Sequence, residues 1–127
     1  MMNLNEIDLA TCPPDAELFN MRAEAVANRL NQAAGQANRP TQIRRFYDEL
    51  VGWQERIDGD EEKFAQHLAF IRMLNAKVAY AQGRQLVDEE FVGWFRRCVA
   101  TTTNARALHH FRLHFEAVLG FLKALRP

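Results

Sequence analysis

The chain has 127 residues, 48% of them hydrophobic and 25% charged, with 16 basic residues balancing 16 acidic ones. Such values fit one folded domain with a core of its own, and they exclude a disordered chain, a disulfide scaffold and an indiscriminate binder of polyanions. The stretch Met1 to Leu9 carries Glu6 and Asp8 but no basic residue, unlike a signal peptide, and no apolar run approaches the ~20 residues that span a bilayer, so a cytoplasmic protein without a membrane partner is expected.

In chain order the pattern predicts an all-α protein, a compact bundle of about five helices in a single domain over residues 1–127. No stretch combines period-2 alternation with turn chemistry. The first helix is predicted over Pro13 to Asn31, with the two prolines tolerated in its opening turn. The polar run NQAAGQANRP, Asn31 to Pro40, reads as a loop. The second helix is expected from Thr41, a suitable N-cap, to Ile57, with Ile43, Phe46, Tyr47, Leu50 and Ile57 on one face. Asp58-Gly59-Asp60 ends it.

The third helix is predicted over Asp60 to Gln82, with Gly83 near its end. Phe64, Leu68, Ile71, Leu74 and Val78 make its apolar face, and Ala65, Ala69, Ala76 and Ala79 line much of the rest. So few large polar side chains suggest a central helix packed on most sides. The fourth starts at Asp88 and buries Phe91, Trp94, Phe95 and Cys98. The fifth runs from about Thr103 to Leu125. Its first stripe is Leu108, Phe111, Phe115, Leu119 and Leu122. A second stripe of His110, His114, Ala117 and Phe121 is expected to meet a partner.

Cys12 and Cys98 form no C-x-x-C motif and read as two free thiols of a reducing compartment. Enzyme signatures for nucleotide, zinc-protease or serine-hydrolase chemistry are absent from the sequence, so no catalytic residue and no cofactor is assigned. His110-x-x-x-His114 places two imidazoles on one helical face, but two ligands do not make a zinc site, and an exposed contact patch fits them better. His67 flanks the third helix's apolar face and reads as a packed or capping histidine. Acids concentrate at Asp60-Glu61-Glu62 and Asp88-Glu89-Glu90, where helix starts favour negative charge.

With the acids gathered there, the helix bodies are basic. From Lys63 to Arg84 the chain has four basic residues and no acid, and from Phe91 to Pro127 six basic residues and one acid. Lys77, Tyr80 and Arg84 share a narrow sector of the third helix, with Met73 beside them. Two readings fit that stripe: cations and a tyrosine facing a phosphate–sugar backbone, or cations paired with acids of other helices. Arg44 and Arg45 have Asp48 and Glu49 four residues on, an arrangement that also suits a solvated face. Arg72, Arg96 and Arg97 lack such neighbours and are expected to be exposed and available for binding.

The segments TQIRRFYDELVGW (Thr41 to Trp53) and MLNAKVAYAQGR (Met73 to Arg84), followed by a short acid-capped helix and by HFRLHFEAVLGFLKAL, resemble the small subunit of type III-A CRISPR effector complexes, the Csm family. The resemblance covers about Thr41 to Leu125 and leaves residues 1–40 as a variable helix and loop. Asn75-Ala76 stands where the family pattern often has proline before the lysine. The resemblance implies a non-catalytic helical bundle used in antiviral defence, stacked in several copies as a minor filament. It also implies contact with the backbone of CRISPR RNA and target RNA without sequence reading. The implied protein partners are the backbone and large subunits and further copies of the chain, with a homodimer possible in isolation. The family's basic positions carry over to Arg44, Arg45, Lys77 and Arg84. A helical adaptor that contacts only protein is the alternative.

Overall fold

Short polar side chains set where three of the helices begin. Asp60 accepts the backbone N–H groups of Glu62 and Lys63 at 2.9 and 3.1 Å, Asp88 that of Phe91 at 3.0 Å, and Asn104 that of Ala107 at 2.8 Å. The computed structural model describes residues 2–126. After a 3₁₀ turn at Leu4–Glu6, the helices are α1 (Met21–Asn31), α2 (Pro40–Ile57), α3 (Glu61–Arg72), α4 (Leu74–Gly83), α5 (Glu89–Thr101) and α6 (Ala105–Leu125). Among the described residues there is no strand, as the all-α expectation requires.

The aromatic centre of the core is built from side chains of α5 and α6. Trp94, fully buried, meets Phe115 edge-on at 5.0 Å and Phe111 at 6.4 Å. Phe95 stands 5.5 Å from Phe111. Such tilted pairs suit the ring quadrupole and add to the apolar burial. On one side α6 packs along α1 through Val26, Ala27 and Leu30, and on the other along α2, where the Tyr47 hydroxyl donates to Glu116 at 2.9 Å. Burial first, and this bond second, hold the Tyr47 hydroxyl above its usual pKa. Both cysteines are free thiols, Cys12 exposed and Cys98 buried.

Several boundaries and environments differ from the sequence expectations, each for a physical reason. The first helix begins at Met21 rather than Pro13. Residues 13–20 form turns because Asp15 accepts the Glu17 N–H through its side chain at 3.2 Å and the Leu18 N–H through its carbonyl at 3.0 Å. Arg22 then ties Asp15 and Glu6 to α1. The second helix is started by Pro40 in its first turn, so Thr41 is not the cap. The third predicted helix divides at Met73 into α3 and α4, which turns about five helices into six. Met73 keeps right-handed angles (φ −64°, ψ −18°), and the buried series Phe64, Ile71, Leu74, Val78 and Ala81 runs through the break. The two pieces therefore present one continuous buried stripe.

That stripe is also narrow, so α3 and α4 lie at the edge of the bundle and not at its centre. Ala65, Ala69, Ala76 and Ala79 are exposed. Alanine favours helix wherever it stands and does not demand burial. Centrality belongs to α6, and the cause is its second stripe. His110 and His114 are buried inside the chain itself, while Ala117 and Phe121 of the same stripe stay half-buried. The segment before α1 covers the two histidines: His110 Nδ1 donates to the Leu9 carbonyl at 2.8 Å and His114 Nδ1 to that of Leu18 at 2.7 Å.

The loop between α1 and α2 is anchored by one residue. Asn38 is fully buried at φ 61°. Its amide donates to the Leu30 carbonyl at 3.2 Å and to Asp88 at 2.8 Å, and its oxygen accepts the Asp88 N–H at 3.0 Å. Asn38→Ala is expected to cost about 2 kcal/mol in urea unfolding, from buried groups left unpaired and a left-handed backbone. Asn38→Gly, which removes only the side-chain part, should recover about half of that.

Candidate nucleic-acid interface

The face that α2 turns toward α3 and α4 carries the basic residues that the fold brings together. The two runs are antiparallel in register: Trp53 lies against Phe70, Glu49 against Lys77, and Arg45 near Tyr80 and Arg84. A shallow groove of about 250 Å³ runs between them, lined by Arg45, Lys77, Tyr80 and Arg84 among others. Arg45 thus joins a cluster that sequence spacing had confined to one helix.

Within the cluster both readings of the sequence find something real. Lys77 Nζ reaches Glu49 at 3.2 Å, so the cation does have an acid on another helix. The pair stays about half exposed, with side chains 49% and 42% accessible. A bridge this wet contributes little and gives way readily to a second anion. The Arg84 guanidinium lies 5.9 Å from the Tyr80 ring centre, and Tyr80 is 67% exposed. Arg84 and Arg45 have no ion-pair partner among the described residues. Three cations on one groove with a single carboxylate, and a tyrosine between two of them, suit a strand of phosphates.

The other predicted residues are dispersed. Arg44 points away from the groove, 3.9 Å from Asp48 and over the Tyr47 ring at 5.8 Å. Arg72, Arg96 and Arg97 line a second shallow groove of about 470 Å³ beside Asn75. Asn75 and Lys77 project from α4 about 200° apart, so the two grooves face different directions. Arg97 is half-buried rather than exposed. Its Nε donates to the Leu4 and Ile7 carbonyls at 3.0 and 2.8 Å, which fixes the 3₁₀ turn against α5. A guanidinium engaged by carbonyls this way is a structural clasp.

Two residues escaped the sequence reading. Trp53 and Phe70 stack with centroids 5.7 Å apart and planes 4° from parallel, and Phe70 is 49% exposed. The signal was available in Phe70, an aromatic placed off the Phe64–Ile71–Val78 stripe. His67 packs at 5.5 Å from Trp53 while its Nδ1 bonds the Lys63 carbonyl at 2.7 Å, as a packed histidine should.

The histidines and carboxylates have structural occupations. His114 Nε2 accepts the Trp94 indole N–H at 3.0 Å, so both its ring nitrogens are engaged. Among the described residues no three His, Cys, Asp or Glu side chains converge as metal ligands would. Glu61 accepts the Ala105 N–H at 3.0 and 3.1 Å, at the start of α6. Glu90 pairs with Arg29 at 2.8 Å, a bond that raises the Arg29 pKa. Among the described residues no helix is long and apolar enough to cross a membrane.

Compared with known protein families, residues 13–127 match the family described as Csm2 Type III-A. No curated protein and no solved structure matches the chain.

Proposed function

Since the chain belongs to the Csm2 Type III-A family, whose members are small subunits of type III-A CRISPR complexes, we propose that it is a non-catalytic subunit that lays its Arg45–Lys77–Arg84 groove on RNA backbone. The observation that carries this is the meeting of cations from α2 and α4 on one groove, with a wet and exchangeable carboxylate as the only acid. The RNA is the guide–target duplex. The backbone and large subunits and further copies of the chain, stacked as a filament, supply the rest of the assembly. Arg72 and Arg96 offer a second backbone contact on another face, and Arg44 a peripheral one.

The chain's charge balance agrees with such a role. A neutral subunit binds RNA weakly alone, and several copies held side by side sum weak contacts through effective concentration. Backbone contact also needs no base-reading side chains. Of the acids gathered at helix starts, Asp60, Glu61, Asp88 and Glu90 cap helices or close ion pairs, which supports the non-catalytic reading.

The Lys77–Glu49 bridge favours a second reading, in which the groove is internally neutralised and the subunit contacts protein only. One experiment separates the two. Reconstituted complexes carrying wild type or Lys77→Ala/Arg84→Ala are titrated with target RNA at low and physiological salt. RNA contact predicts affinity roughly tenfold lower in the variant and a log–log salt slope smaller by about one to two. Equal affinity and slope in fully assembled complexes would establish the protein-only adaptor.

A further inference from the structure

The cationic groove continues, two helical turns along, into a surface of different chemistry. Phe70, Met73, Lys77, Tyr80 and Arg84 follow one another at spacings of three and four, which places them in a sector about 80° wide. The buried stripe passes unbroken through Met73, so this outward stripe does too. Phe70, Met73 and Tyr80 are three of the five large apolar side chains left exposed among the described residues, at 49%, 51% and 67%. At the far end Phe70 lies parallel to Trp53, and the Arg56 guanidinium sits 4.9 Å from the Trp53 ring centre.

A single exposed phenylalanine needs no explanation. This one differs in three respects. Its ring is held flat by a tryptophan that packs on the core. The Arg56 guanidinium lies against its tryptophan partner, and its own run from Lys63 to Arg84 carries no carboxylate. It also lies in line with the groove assigned to phosphates. A partner helix seats its side chains in holes between four residues. A parallel ring pair offers a π face instead, and flat rings beside cations are how proteins hold unpaired bases.

We propose that the Trp53–Phe70 pair is a stacking platform for an unpaired nucleobase of the RNA whose backbone crosses Lys77 and Arg84, an inference that rests on the reading above. Phe70 and Lys77 stand seven residues apart across the break at Met73, about 10 Å along near-helical backbone. A strand whose phosphates meet the groove therefore brings a base to Phe70 within a few nucleotides. Stacking is tolerant of base identity, so the platform adds grip without adding sequence preference.

The test uses the reconstituted effector complex with target RNAs carrying 5-iodouridine at single positions, irradiated in the near ultraviolet and mapped by mass spectrometry. An adduct at Phe70 or Trp53 from at least one position is expected. An abasic nucleotide at that position should weaken binding roughly tenfold in wild type and leave Phe70→Leu, which keeps apolar bulk on an exposed site, indifferent. No adduct at either residue from any position overturns the platform, including the case in which a neighbouring protein subunit covers Phe70. Equal base-to-abasic ratios in wild type and Phe70→Leu overturn it as well. The backbone reading is judged separately, by Lys77→Ala/Arg84→Ala, whose loss of affinity is the same for base-bearing and abasic RNA.

Discussion

Trp94→Ala is expected to remove about 5 kcal/mol or more of stability, enough to leave much of the chain unfolded at physiological temperature. Two costs combine. Deleting a fully buried indole ring takes about 3–5 kcal/mol through lost transfer energy and the cavity left behind. The cavity would open among Phe91, Phe95, Phe111 and Phe115, rings already packed against one another and unable to collapse inward cheaply. In addition, His114 Nε2 loses its only donor while remaining buried, at about 1–3 kcal/mol. Trp94→Phe separates the two, since it keeps most of the ring and removes the N–H. Urea unfolding followed by circular dichroism should place Trp94→Phe clearly between wild type and Trp94→Ala. Coincidence of Trp94→Phe with wild type would mean that the indole–imidazole bond contributes nothing.

The same pair of rings predicts a pH dependence. Burial pushes the His114 pKa from 6.5 down to about 4, against a smaller opposing effect of the Leu18 carbonyl. Above pH 6.5 the imidazole is neutral in both folded and unfolded chains, and stability is at its full value. As pH falls from 6.5 to about 4, the unfolded chain takes up a proton that the folded chain refuses, so stability declines. Below that both states are protonated and the decline from this group stops. At ~1.4 kcal/mol per pH unit the whole interval is worth about 3 kcal/mol. Urea unfolding at several pH values between 7 and 4 reads it. His114→Gln, which offers an acceptor toward Trp94 but does not ionise, should show a profile flatter by that amount. Parallel profiles for the two proteins would assign the acid sensitivity to other groups.

Much of the fold was legible because its signals are local. Asp60, Asp88 and the 58–60 break mark helix ends through bonds made within three residues, and spacing reported which side of each helix is apolar. What occupies the far side of a helix is not a local property. The second stripe of α6 was legible as a stripe, but its cover is a segment about a hundred residues away in sequence, held by Leu9 and Leu18 carbonyls. Arg97 reads as a free cation until the chain ahead of α1 folds back to offer it backbone oxygens. Lys77 and Arg84 were found by their sector on one helix. Glu49 opposite Lys77, and Arg45 beside them, come from α2 and needed the antiparallel register of the two runs.

The pairing of α1 with α6 bears on how the molecule is made. Helix α1 finds its main neighbour in α6, about eighty residues further along the chain and so synthesised well after it, and Asn31 is bonded by Arg126, beyond the end of α6. On a ribosome adding residues at ~5–20 per second, α1 waits on the order of ten seconds for that neighbour. During the wait Val26, Ala27 and Leu30 lack the helix that contributes most of their cover. The nascent protein is thus most exposed to aggregation in the interval between the emergence of α1 and that of α6.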